Sequence, residues 1–144
     1  MAMTTFEISE IKGAAKMLEQ LHLLQQLTKE LTHESSETML GEMIEKGYRM
    51  IGIFENQQCV GISGIWIGTK LYSGKYLEID NFVIDKNTRS KGAGKILVNY
   101  IEQIAIENKC KCIMLDAYTS NNAAHKFYLR EGFLIRGFHF IKEM

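Results

Sequence analysis

The run Ile84-Asp-Lys-Asn-Thr-Arg89-Ser-Lys-Gly92-Ala-Gly94-Lys95 constrains this chain more than any other segment, because it joins two stretches of different periodicity. Before it, Tyr76 to Ile84 (YLEIDNFVI) is β-branched, aromatic and partly alternating, the pattern of a strand. After it, Leu97, Ile101 and Ile104 recur at i, i+4 and i+7 with Tyr100 beside them, the stripe of an amphipathic helix. A chain that passes from strand to helix through such a turn collects the unpaired N–H groups of the helix start at the turn. Gly92 and Gly94 let backbone approach a ligand without a Cβ in the way. The helix start carries roughly half a positive charge, and Arg89, Lys91 and Lys95 add cations around it. The run is therefore a cradle for an anion such as phosphate.

Spacing excludes two common phosphate loops. A Walker loop needs glycine at position 89 and Ser or Thr after the lysine, where this chain has Arg89 and Ile96. A Rossmann fingerprint starting at Gly92 needs glycine or alanine at position 97, where Leu97 stands. Arg-x-x-Gly-x-Gly does fit, as Arg89, Gly92 and Gly94. In this the chain resembles the GNAT superfamily of N-acetyltransferases, whose acetyl-CoA loop reads Gln/Arg-x-x-Gly-x-Gly/Ala between a strand and a helix. A second segment, Asn121-Asn-Ala-Ala124-His-Lys-Phe127-Tyr128-Leu-Arg-Glu-Gly132-Phe133, resembles the family's later motif, Asn-x-x-Ala-x-x-hydrophobic-Tyr-x-x-x-Gly-Phe. The two lie in the family's order and separation. The resemblance covers about positions 48 to 141, and the first 45 residues only by general pattern.

Length and composition bound the reading. At 144 residues the chain has the size of one domain, 1–144, with 46% apolar and 24% charged residues. The formal net charge of +0 offers no global field for nucleic acid or a membrane surface. No apolar run approaches the ~18 residues of a membrane span. The start MAMTTFEISE lacks the basic and apolar regions of a secretion signal, so a cytoplasmic location is expected. Cys59, Cys110 and Cys112 have no metal-type spacing and read as reduced thiols. His22, His33, His125 and His139 show no ligand spacing either, so no metal is expected.

Along the chain, Thr4 to Ile8 reads as a strand, and Ser9 as the cap of a helix carrying Ile11, Ala14, Ala15 and Leu18. Leu21 to Leu31 continues in helical spacing, as a second helix or a kinked extension of the first, and a further helix runs from Ser35 or Ser36 to near Gly47. Tyr48–Phe54 and Cys59–Ile67 read as a hairpin, Thr69–Lys75 as an irregular connection, and Lys111–Ala117 as a buried parallel strand. Ser120 opens a helix over 121–131, and Phe133 to Ile141 reads as the final strand. The expected fold is a single α/β (α+β) domain of the GNAT type, with a mixed central sheet of six to seven strands and about four helices.

What the resemblance implies is an acyltransferase with acetyl-CoA as co-substrate. Backbone amides of Ser90, Lys91, Gly92, Ala93, Gly94 and Lys95 would hold the pyrophosphate, with Arg89 beside them. Backbone of Phe82, Val83 and Ile84 would pair with the pantetheine arm, and Asn121 would contact the cofactor from the other side. Tyr128 would stand by the cofactor sulfur. A phenol near pKa ~10 can donate to a departing thiolate near ~8.5. An alkylamine acceptor arrives protonated and needs a base. Glu78 and Asp80, two apart on one strand, are the candidates, directly or through water. They share a face unless the bulge expected in this strand intervenes. The plainer readings are a packed helix face for Tyr128 and surface carboxylates for the acids. Glu30, Glu34 and Glu37 could attract a cation or form a solvated face. Lys86 replaces the family's usual proline, which should loosen the loop. Asn81 stands where some small-amine relatives have Asp, which weighs against a polyamine. No cysteine is placed for a covalent acetyl intermediate, so direct attack in a ternary complex is expected. The acceptor would be a small-molecule amine. The alternatives are a protein N-terminus or lysine, or a CoA-binding regulatory module without turnover. Exposed strand edges would allow a homodimer.

Overall fold

The N-terminal alternation carries its strand further than its propensities suggest. Phe6–Ile11 forms β1, antiparallel to Arg49–Glu55 (β2), with Ile8 opposite Ile53 and Ile11 opposite Met50. The first helix therefore starts only after Gly13, in a left-handed backbone (φ 89), and not at Ser9–Glu10. The computed structural model describes residues 5–89 and 91–144, and the chain divides into two compact units, Met1–Met114 and Leu115–Met144.

In the first unit, Ala14–Leu18 (α1) and Leu21–Leu27 (α2) are separate short helices, broken at Glu19 and Gln20. His33–Glu45 (α3) follows. Its N-cap Thr32 and Ser35 cap each other reciprocally, which satisfies two orphan donors. Two hairpins then build the sheet. β2 turns through Asn56 and Gln57 (φ 51 and 66), the double left-handed turn that matches strand twist, into Gln58–Lys70 (β3). The expected irregular connection over 69–75 is instead a second hairpin, in which Lys70 pairs with Gly74 and opens Gly74–Ile84 (β4). Ala93–Glu107 (α4) crosses over to Cys112–Leu115 (β5), shorter than the expected 111–117. The Lys111 N–H donates to the Lys75 carbonyl at 2.6 Å, so β4 and β5 start side by side.

The result is one mixed sheet in the order β1-β2-β3-β4-β5. Met17, Leu23, Leu24 and Leu40 from the first three helices pack with Ile11, Tyr48, Met50, Ile62 and Val83. Residues that alternate with these, including Ile51, Ile53, Ile65, Leu77 and Ile79, are also buried, as are Leu97, Val98 and Ile101 on the inner stripe of α4. Each such side chain contributes about 1.5–3 kcal/mol. That packing fixes the helix start where the loop delivers it.

In the second unit, Asn122–Arg130 (α5) is capped by Asn121, whose Oδ1 accepts from the Ala124 N–H at 3.1 Å. It ends at Gly132 (φ 97), and the Phe133 N–H returns to the Tyr128 carbonyl at 2.9 Å.

Five strands and five helices are present among the described residues, against the expected six to seven strands and about four helices. The break at Glu19–Gln20 decides for a separate second helix over a kinked extension, which brings the helices to five. The missing strand is Phe133–Ile141, which joins no ladder among the described residues. An alternating apolar pattern supplies side chains for a strand, but only a neighbour's backbone makes it one, and Phe138 and Phe140 stand 82% and 91% exposed.

Candidate active site

The centre of the site is an irregularity in β4. Asp80 pairs with Gly64 and Val83 with Ile62, so Asn81 and Phe82 together stand opposite Ser63 alone. This is a β-bulge, and Asn81 takes its left-handed residue (φ 55). The expected bulge is there, and its position answers the question it raised. It falls after Asp80, so Glu78 and Asp80 keep the same face, opposite to buried Leu77 and Ile79.

That face is lined by groups from β3, from β4 and from Tyr48 just before β2. Trp66, across from Glu78 on β3, donates its indole N–H to Asp80 Oδ2 at 3.0 Å. Its ring lies 5.2 Å from the Tyr48 ring at 53°. The Tyr48 hydroxyl accepts from Asn81 Nδ2 at 3.2 Å. Burial pushes the Tyr48 phenol far above its ordinary range, outweighing the Asn81 hydrogen bond, so it stays neutral. The two carboxylates thus sit in a half-buried, aromatic-walled setting, and Asp80 is held by a named donor.

Past the bulge, β4 runs into the cradle. The Asp85 N–H donates to the Val60 carbonyl at 2.8 Å, and Asp85 Oδ1 accepts from the Asn87 N–H at 3.2 Å. Gln26 on α2 reaches the same turn. Its Nε2 donates to Asp85 Oδ1 and its Oε1 accepts the Lys86 N–H, both at 3.3 Å. Lys86, expected to loosen the loop in place of proline, has its backbone tied at this turn. It supplies an N–H that proline lacks, and a helix side chain takes it. Arg89 turns back, donating Nε to the Ile84 carbonyl at 3.2 Å. Lys91 Nζ lies 3.5 Å from Glu55 Oε1. Ser90 lies outside the described residues.

Gly92 is the N-cap of α4, left-handed at φ 85, and no side chain caps this helix. The first α-type bond runs from the Ile96 N–H to the Gly92 carbonyl, so the N–H groups of Ala93, Gly94 and Lys95 have no intrahelical acceptor. A Cβ on Gly92 would meet nothing within 4 Å. An uncapped helix start with open space before it and cations on its flank fits a diphosphate. Among the described residues, no cluster of three or more His, Cys, Asp or Glu could hold a metal ion.

The second unit holds the remaining two expected residues. Tyr128 is half-buried on α5, edge-on to Phe127 (5.3 Å) and Phe133 (5.5 Å), and burial pushes its phenol up to about 12. Asn121 caps that helix. His125 turns its ring to the Tyr118 carbonyl at 2.8 Å.

The sequence reading brought out Glu78, Asp80 and the loop but missed Tyr48, Trp66, Gln26 and Glu55. One signal was available for the first two. Gly64 stands in the middle of a strand, and a Cβ there would fall on the Tyr48 ring.

A bulged strand that opens through a basic glycine loop onto a bare helix start places the chain among α/β folds suited to holding an anion. The sequence model of the acetyltransferase (GNAT) family matches residues 16–133, and the chain belongs to that family; it is an acetyl-CoA-dependent N-acetyltransferase. It is 25% identical over 137 residues to the uncharacterised N-acetyltransferase YhdJ of Bacillus subtilis strain 168, covering 94% of this chain and 96% of that one. Its fold is shared with glucosamine-6-phosphate N-acetyltransferase of Arabidopsis thaliana, with a TM-score of 0.74, 24% identity and coverage of 96% and 98%. It is also shared with an aminoglycoside N-acetyltransferase in complex with CoA, with a TM-score of 0.83, 14% identity and coverage of 98% and 95%. No helix among the described residues is long and apolar enough to cross a membrane.

Proposed function

We propose that the protein transfers the acetyl group of acetyl-CoA to the primary amine of a small molecule, by direct attack within a ternary complex. The observation that carries this reading is the face bearing Asp80 and Glu78, which ends at the bulge leading into the cradle. A cationic amine would be drawn to that half-buried carboxylate pair, beside the strand where the thioester is expected to lie. Two fold relatives named for amine-bearing small molecules, glucosamine-6-phosphate and aminoglycosides, agree with that acceptor class.

The roles follow from the chemistry. Backbone amides of 90–95 bind the diphosphate, with Arg89 and Lys91 shaping the loop around them. Backbone of Phe82, Val83 and Ile84 aligns the pantetheine arm by strand-like pairing, and Asn121 adds a contact from α5. Asp80 takes the ammonium proton, directly or through water, with Glu78 supporting the positive charge. The freed amine attacks the thioester carbon, the C–S bond breaks, Tyr128 donates to the sulfur as it leaves, and the second proton of the attacking nitrogen passes through water to restore the phenol. Holding both reactants in register contributes by proximity alone.

The test is a panel of small amines, amino sugars and peptides with acetyl-CoA, followed by release of free thiol. Turnover on small amines and none on peptides is expected. Peptide-only turnover would overturn the acceptor class. An absence of both thiol release and coenzyme A uptake by calorimetry would overturn the whole reading.

A further inference from the structure

Asn81 is the only non-glycine strand residue with positive φ among the described residues. A left-handed backbone is costly for residues with a Cβ, less so for Asn, whose side chain can find a local partner. Here the partner is distant in sequence. Asn81 Nδ2 donates to the hydroxyl of Tyr48, the residue just before β2 and 3% exposed. Tyr48 itself has little freedom. Its ring lies over Gly64, where any Cβ would collide with it, and against Trp66, which in turn holds Asp80. Gly64 is the residue paired with Asp80 at the edge of the bulge. One buried phenol therefore touches both strands that form the irregularity.

We infer that Tyr48 is a positioning residue. Its hydroxyl holds Asn81 left-handed and so sets the bulge at residues 81–82, fixing the direction in which the Phe82 and Val83 backbone leaves the sheet. For its catalytic consequence this rests on the acetyl-transfer reading, but the structural role stands on the contacts alone. It also accounts for asparagine at 81. The residue serves the backbone, and the carboxylate at 80 is left to serve the acceptor.

Hydrogen exchange across residues 79–84 tests the assignment without any ligand. Tyr48→Phe keeps the ring and removes the hydroxyl, and exchange there should rise about tenfold. Asn81→Gly takes positive φ without help and should stay within about threefold of the parent. Tyr48→Phe added to Asn81→Gly should then cause no further rise. Parent-like exchange in Tyr48→Phe, or an equal rise on both backgrounds, would overturn the inference. If Tyr48→Phe does not fold, Asn81→Ala against Asn81→Gly decides: faster exchange in alanine alone supports the role, and equal rates overturn it. Coenzyme A titration of the same proteins separates the two readings. A parent that takes up no coenzyme A sinks acetyl transfer, while the exchange pattern still settles the hydroxyl. With uptake, affinity should fall about tenfold in Tyr48→Phe and recover when Asn81→Gly is added.

Discussion

Replacing Tyr128 by Phe removes one oxygen and keeps the ring edge-on to Phe127 and Phe133. What it should cost can be worked from the phenol's surroundings. Burial raises that phenol to about 12, whereas an ordinary thiol titrates near 8.5. Complete proton transfer to a thiolate in water would then be uphill by roughly 5 kcal/mol, at 1.36 kcal/mol for each unit. The phenol must therefore act while charge is still developing on sulfur, as a hydrogen-bond donor whose proton crosses late, in a setting that raises the thiol as well. A hydrogen bond to a charged partner is worth about 1.5–3 kcal/mol. The expected loss in kcat for Tyr128→Phe is thus about 10²-fold. Thiol release under saturating acetyl-CoA and acceptor measures it, and calorimetry should give a Kd for coenzyme A within about threefold of the parent, since the lost hydroxyl is spent on the transition state. Because the phenol stays protonated through neutral and mildly alkaline pH, it should contribute no falling limb to kcat below about pH 10. A variant with full kcat, or one whose whole defect is in coenzyme A affinity, would refute the donor role.

Gly92→Ala should lose at least about tenfold in coenzyme A affinity by calorimetry, because its Cβ would enter the open space before the helix start. The φ of 85 should cost about 1–2 kcal/mol of stability besides, and unchanged affinity would place the diphosphate elsewhere. Gln26→Ala should raise the KM for both acetyl-CoA and amine with a smaller effect on kcat, since one side chain ties α2 to the turn at Asp85–Lys86; steady-state kinetics showing either KM unmoved would refute that coupling. Stability should hold level up to about pH 9 and then fall. Cys59 is pushed up to about 11 and Tyr128 to about 12, both by burial, so the unfolded chain gives up these protons first as pH rises. Denaturant titrations should show the loss between pH 9 and 12, at about 1.4 kcal/mol per pH unit for each group caught between its two values. A flat profile would mean these groups are solvated.

The parts of this protein legible in its sequence are those whose signal is local. The turn at Gly92 and the stripe of α4 are each written in a few consecutive residues and form as read, whereas the cap expected at Ser120 falls one residue later, at Asn121. The bulge came from likeness to a family, and only the cross-strand pairing shows on which side of Asp80 it falls. Elements that depend on a partner were misjudged in both directions. β1 runs on to Ile11 because β2 lies beside it, while 133–141 has a strand's pattern and no ladder among the described residues.

The two departures from the motif show the same limit from the other side. Lys86 for proline reads locally as a looser turn, yet its N–H is taken by Gln26, sixty residues earlier in the chain. Asn81 reads locally as a missing carboxylate, yet it is the residue whose backbone must turn left and whose side chain finds Tyr48, thirty-three residues away. In both places a long-range hydrogen bond does what a local device would otherwise do. Such exchanges are invisible to spacing, because neither partner is unusual in its own neighbourhood. They also make the two sites sensitive to substitutions far from the loop. Changes at Gln26 or Tyr48 should alter cofactor handling as surely as changes in the glycines, although neither residue belongs to either motif.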